Sequence, residues 1–173
     1  MSTDGLGVDH GDSRRDAFIA RYGSIYEHSP WVAAAVFGLP GTETTDGLAR
    51  MMRAVVDDAG PERLLALLRA HPELACRQVD ALTEASQGEQ RGAGLDRCTA
   101  EEFAEFQRLN AAYRAKFGFP FIVAVKGLDR AGILAQFRQR IEHDSDTEFR
   151  TAVQQVHRIA GFRLAALDDA RSD

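Results

Sequence analysis

A chain of 173 residues that is 45% apolar and 27% charged has the length and composition of one globular domain with a sizeable core. Its net charge of −5, with no run of basic residues, excludes a protein that tracks nucleic-acid phosphates. No apolar run approaches the ~20 residues that span a bilayer, and Cys76 and Cys98 have neither CxxC nor metal-ligand spacing.

The first dozen residues, "MSTDGLGVDHGD", are acidic and glycine-rich, unlike a signal peptide. They predict a disordered leader over 1–12, a single domain over 13–170, and a reduced, cytoplasmic setting without membrane or nucleic-acid partners. "SRRDAFIARYG" then reads as a short helix stopping near Gly23. "SPWVAAAVF" offers Ser29 as an N-cap and Pro30 as the first helical residue. From Thr45, residues Leu48, Met51, Met52, Val55 and Val56 follow the i, i+3, i+4, i+7, i+8 stripe of a half-buried helix. Gly60 and Pro61 end it and start "PERLLALLRA", which runs into His71-Pro72.

Three later starts carry the S/T-x-x-E capping box: Ser86 with Glu89, Thr99 with Glu102, and Ser145 with Glu148. The Thr99 helix should reach Phe117, with Gly118 as a left-handed cap. The last helix should run from about Asp146 to Asp168. Between them "FGFPFIVAVKG" has strand-like composition but no strand to pair with. It predicts an extended, buried connector over about 118–126, whose backbone groups need partners, a bound ligand among the candidates. The whole reads as an all-α, single-domain helical bundle.

Three features could carry chemistry. His71 precedes a proline and should sit at a helix C-terminus, where the dipole favours a protonated imidazole; a simple capping role is equally open to it. The other histidines read as surface or packing residues, and no metal-binding spacing is present. Ser86 and Glu89 lie in a dense polar cluster, "LTEASQGEQRGAGLD", and read either as a cap, with Thr83 and Glu84 as competing partners, or as ligand-facing groups. On a helical wheel Arg163 falls about 40° from Phe149, inside the apolar stripe, whereas Arg158 falls about 180° away. A buried arginine needs a carboxylate, carbonyls or a ligand unless it snorkels to the helix end.

At these residues the chain resembles a known family. "YEHSPWVA", "AHPELA", "LTEASQGEQRGAGLD", "LNAAYRAKFGFPFIVAVKG" and "EFRTAVQQVHRIAGFRL" occur in the order found in 2-oxo-4-hydroxy-4-carboxy-5-ureidoimidazoline (OHCU) decarboxylases, over about Ser13 to Leu167. The resemblance implies an all-α enzyme without cofactor or metal that converts a ureidoimidazoline to (S)-allantoin and carbon dioxide, the last step from urate. It implies His71 and Glu89 as catalytic residues. It implies substrate contacts at Pro72, Ser86, Gln87, Gly88, Glu89, Gln90, Phe121, Ile122, Val123, Ala124, Val125 and Arg163, and leaves room for a homodimer. Two departures are mild: Glu73 stands where Asp is common, and Phe162 where Leu is usual.

Overall fold

The computed structural model describes residues 10–74 and 82–170; the expectations for the leader up to residue 9 and for Cys76 lie outside the described residues. Eight α-helices are found there: α1 (His10–Tyr22), α2 (Trp31–Val36), α3 (Thr45–Asp57), α4 (Pro61–Arg69), α5 (Glu84–Gly92), α6 (Ala100–Phe117), α7 (Arg130–Arg140) and α8 (Ser145–Asp169). No strand occurs among the described residues. The domain is all-α, as its periodicity predicts.

Local chemistry sets most boundaries. The Thr44 side chain accepts the Gly47 N–H at the start of α3, which buries Leu48, Met52 and Val56. Pro61 opens α4 behind Gly60, whose φ of 79° suits glycine. In α6 the reciprocal Thr99–Glu102 capping box is present, and Gly118 ends the helix at φ 77°.

Four starts differ from expectation. Helix α1 begins at His10, with Asp12 in its first turn, so residues 10–12 are helical and not leader. Ser29 does not cap α2: its hydroxyl donates to the Glu27 carbonyl, Pro30 takes the N-cap position, and the helix proper starts at Trp31. The cap of α5 is Thr83, whose side chain accepts the Ser86 N–H, so Ser86 lies inside the first turn with its hydroxyl facing inward. Asp144 likewise caps α8 through the Thr147 N–H, leaving Glu148 to be buried. In both helices a capping side chain stands upstream of the serine and starts the helix first.

Helix α8 packs against α3, α4 and α6. It buries Val153, Val156, Ala160 and Arg163 and leaves Arg158 exposed, which matches the helical wheel. The segment between α6 and α7 is the expected buried connector: Phe119 and Phe121 to Val125 are all in the core. Phe121 stacks on Phe137 of α7 at 3.9 Å between ring centroids, and the Tyr113 ring meets it edge-on. No helix of the described residues is long and apolar enough to cross a membrane.

Candidate active site

The turn before α2, the turn after α4, helix α5, the connector and α8 converge on one cleft. His71 sits two residues past the end of α4, its N–H on the Leu68 carbonyl at 3.2 Å. Its loop is clamped from outside. Gln90 Nε2 donates to the Glu73 carbonyl (3.1 Å), Asn110 Nδ2 to the Leu74 carbonyl (3.0 Å), and Arg114 pairs with the Glu73 carboxylate (2.9 Å). The His71 side chain is buried, and its Nε2 has no hydrogen-bond partner among the described residues.

The helix-end position suggested an imidazolium; the structure gives the opposite. Burial pulls the His71 pKa down to about 4, with Glu27 opposing and Arg163 reinforcing the fall. A desolvated site penalises the charged ring by more than a helix end can repay, so the imidazole is neutral at pH 7.

Arg163 is buried, and its guanidinium is saturated. Its Nε and Nη2 hold Glu89 in a two-point pair (2.7 and 3.0 Å), and Nη2 also donates to Ser86 Oγ (3.1 Å). Nη1 pairs with Glu27 (2.7 Å) and donates to the Ser24 carbonyl (3.2 Å). These contacts use all five N–H donors of the group. Arg163 is thus a brace between two carboxylates. Glu89 is joined to Arg163, and no hydrogen bond or ion pair links it to His71 among the described residues.

Glu27 is the residue that sequence reasoning missed. Its side chain is fully buried and accepts from Thr83 Oγ1 (2.6 Å) and Ser86 Oγ (2.9 Å). Burial pushes its carboxyl up, but Thr83, Arg163 and Ser86 together outweigh that and hold it below the usual range. The chain turns sharply at His28, whose φ of 46° is uncommon outside glycine, and His28 stays exposed while Glu27 points inward. A short loop has no periodicity to mark an inward carboxylate; the available signal was its place in "YEHSPWVA". Beside it, the Tyr26 hydroxyl contacts His157 Nδ1 and His157 Nε2 contacts Asp57, both at 2.9 Å, tying this turn to α8 and α3.

The cleft has about 360 Å³ of free space, its mouth included, and is lined by His71, Pro72, Leu74, Ser86, Glu89, Gln90, Phe121, Ile122, Val123, Val125 and Ile159. Glu89, Val125 and Ile159 also border a wider cavity that adds Gly88, Ala124 and Arg163. Gln87 lines neither: its amide bonds the Leu82 carbonyl and accepts from Arg91 along its own helix. No group of three or more metal-ligating side chains occurs among the described residues.

A buried neutral imidazole facing two arginine-braced carboxylates in a small cleft is the equipment of an acid–base enzyme. The OHCU decarboxylase family model matches residues 12–165, and the chain belongs to that family. It is 45% identical over 150 residues to the 2-oxo-4-hydroxy-4-carboxy-5-ureidoimidazoline decarboxylase of Haloferax volcanii, covering 87% of this chain and 88% of that one. It is 36% identical to the mouse protein of the same name over 90% of this chain and 88% of the other. Among solved structures, an (S)-allantoin synthase superposes with a TM-score of 0.69 at 35% identity, over 88% of this chain and 50% of that one.

Proposed function

We propose that the protein decarboxylates 2-oxo-4-hydroxy-4-carboxy-5-ureidoimidazoline to (S)-allantoin and carbon dioxide. The observation that carries this reading is the His71 imidazole: neutral, buried, with Nε2 unpartnered among the described residues, in a cleft lined by Glu89 and with the Glu27–Arg163 pair behind it, in a chain of this family.

The substrate's carboxylate stands on a carbon next to a ring C=N. When the C–CO₂ bond breaks, its electron pair moves into that C=N, so the substrate contains its own electron sink. The former carboxylate carbon also bears the hydroxyl and becomes the ring carbonyl of the product as that hydroxyl gives up its proton, so a proton must reach the neighbouring, ureido-bearing carbon on one face. A neutral imidazole has one N–H and one lone pair, so His71 takes a proton at one nitrogen and returns one from the ring.

Two carboxylates around one guanidinium leave a formal surplus of one negative charge beside the cleft. That surplus steadies a transient His71 imidazolium. It also disfavours a substrate carboxylate and favours its departure as a neutral gas. Glu89 acts in this reading through charge and through the brace, without gripping the His71 ring, and Arg163 holds the carboxylates and not the substrate. Pro72, Gln90 Oε1 and the connector backbone are left to meet the ring and ureido groups. The test is to add the protein to freshly generated substrate and follow carbon dioxide release and optical rotation. Both should run well ahead of the spontaneous reaction, and a protein that accelerates neither is no decarboxylase of this compound.

A further inference from the structure

The connector lines the cleft, and two residues outside the cleft hold it in register. Arg140 of α7 donates Nη1 to the Ile122 carbonyl at 2.7 Å, and its guanidinium lies 4.5 Å from the centre of the Phe121 ring. On α8, Gln155 Oε1 accepts the Ala124 N–H at 3.0 Å. In an extended chain the N–H and C=O of one residue point the same way, and those of its neighbours point the opposite way. Ile122 and Ala124, on either side of Val123, are thus held by α7 and α8, and such alternation turns the Val123 N–H and C=O to the other side. Val123 is buried and borders the cleft, and neither of its backbone groups has a hydrogen bond among the described residues. Buried backbone groups rarely go without a partner.

Resting on the functional reading above, we propose that Gln155 and Arg140 are positioning residues for the reaction: by holding the Ala124 amide and the Ile122 carbonyl, they aim the Val123 N–H and C=O into the cleft as a donor–acceptor pair. Such a pair matches the adjacent N–H and C=O of a lactam or ureide. It does not match the carboxylate, which offers acceptors only, so this edge reads the part of the substrate that survives in the product.

Gln155 is the residue to test, because Arg140 also neutralises a buried carboxylate and its loss risks the fold. Gln155→Leu keeps volume and removes the acceptor; Gln155→Glu keeps the acceptor. The substrate KM and kcat, allantoin affinity by calorimetry, and the amide NMR shifts of Val123 and Ala124 are measured for wild type and both variants. Gln155→Leu should lose allantoin affinity and raise KM by about tenfold, the usual effect of leaving one buried donor unpaired, and Gln155→Glu should recover most of both. Allantoin added to the wild type should shift the Val123 amide more than that of Ala124. Unchanged affinity in Gln155→Leu, an equal loss in Gln155→Glu, or an unmoved Val123 amide would overturn the assignment. A wild type that neither binds allantoin nor decarboxylates overturns the functional reading beneath it.

Discussion

The molecule contains two buried arginine clusters that look alike and do different work. Around Arg140, one carboxylate meets one guanidinium: Glu148 is fully buried, pairs with Arg140 Nη2 at 2.5 Å, contacts His143 Nδ1 at 2.8 Å and accepts the Tyr113 hydroxyl. That cluster borders neither cavity of the candidate site. Around Arg163, one guanidinium meets two carboxylates, and one of them, Glu89, has a side chain 31% exposed at the cleft. Buried charge therefore does not by itself mark a site. What distinguishes the Arg163 cluster is its surplus carboxylate, its contact with a cavity, and a neutral imidazole nearby.

Neutralising one glutamate in each cluster should separate stability from activity. Glu148→Gln leaves Arg140 with no anion and should cost about 3–5 kcal/mol in denaturant unfolding. Equal unfolding midpoints for this variant and the wild type would break the comparison on the structural side.

Acid should act on the other cluster. The His71 pKa lies at about 4 in the folded chain against an ordinary 6.5, so the unfolded chain binds the extra proton first as the pH falls. Its contribution is complete above pH 6.5, is lost as the pH drops toward 4, and amounts to something on the order of 3 kcal/mol. Glu27, held low, adds a further loss as the pH falls through its folded value. Unfolding free energies between pH 7 and 4 should slope down for the wild type and less steeply for His71→Gln. Parallel slopes would remove the buried imidazole from the account.

Glu27→Gln is the mirror of Glu148→Gln. Arg163 keeps Glu89 as its anion, so the fold should hold, but the surplus charge beside His71 is gone. Turnover should fall roughly a hundredfold, the scale of a lost acid–base partner, and Glu89→Gln should behave alike. Wild-type turnover in Glu27→Gln would return that residue to a purely structural part. The smallest effect belongs to Arg158→Met, on the exposed face of α8, with a stability change of about half a kcal/mol or less and no change in turnover. A large loss there would mean that α8 presents a different face.

Much of this was legible in the sequence because helix phase is a strong signal. The wheel placed Arg163 inside and Arg158 outside before any contact was known. It would have found Arg140 too, since Ile133, Phe137 and Arg140 follow the same stripe on α7 and all three are buried. The capping motif was the weaker guide. S-x-x-E matched Ser86–Glu89 and Ser145–Glu148, but Thr83 and Asp144 lie upstream and cap first, which frees Ser86 for Arg163 and Glu148 for Arg140. Glu27 sits in a turn, where spacing carries no phase. The charge of His71 could not be read from its helix-end position, because burial among distant segments decides it. That Glu89 is taken by Arg163 was hidden for a related reason: a saturated guanidinium is visible only once all five donors are counted.

The central claim is that His71 delivers the proton that sets the handedness of the product, and chirality tests it most directly. Wild type and His71→Ala are each given freshly generated substrate, and the allantoin is analysed for enantiomeric composition beside circular-dichroism spectra of both proteins. The account predicts pure (S)-allantoin from the wild type, and racemic allantoin at the spontaneous rate from a folded His71→Ala. Enantiopure (S)-allantoin formed by His71→Ala at the wild-type rate would contradict it.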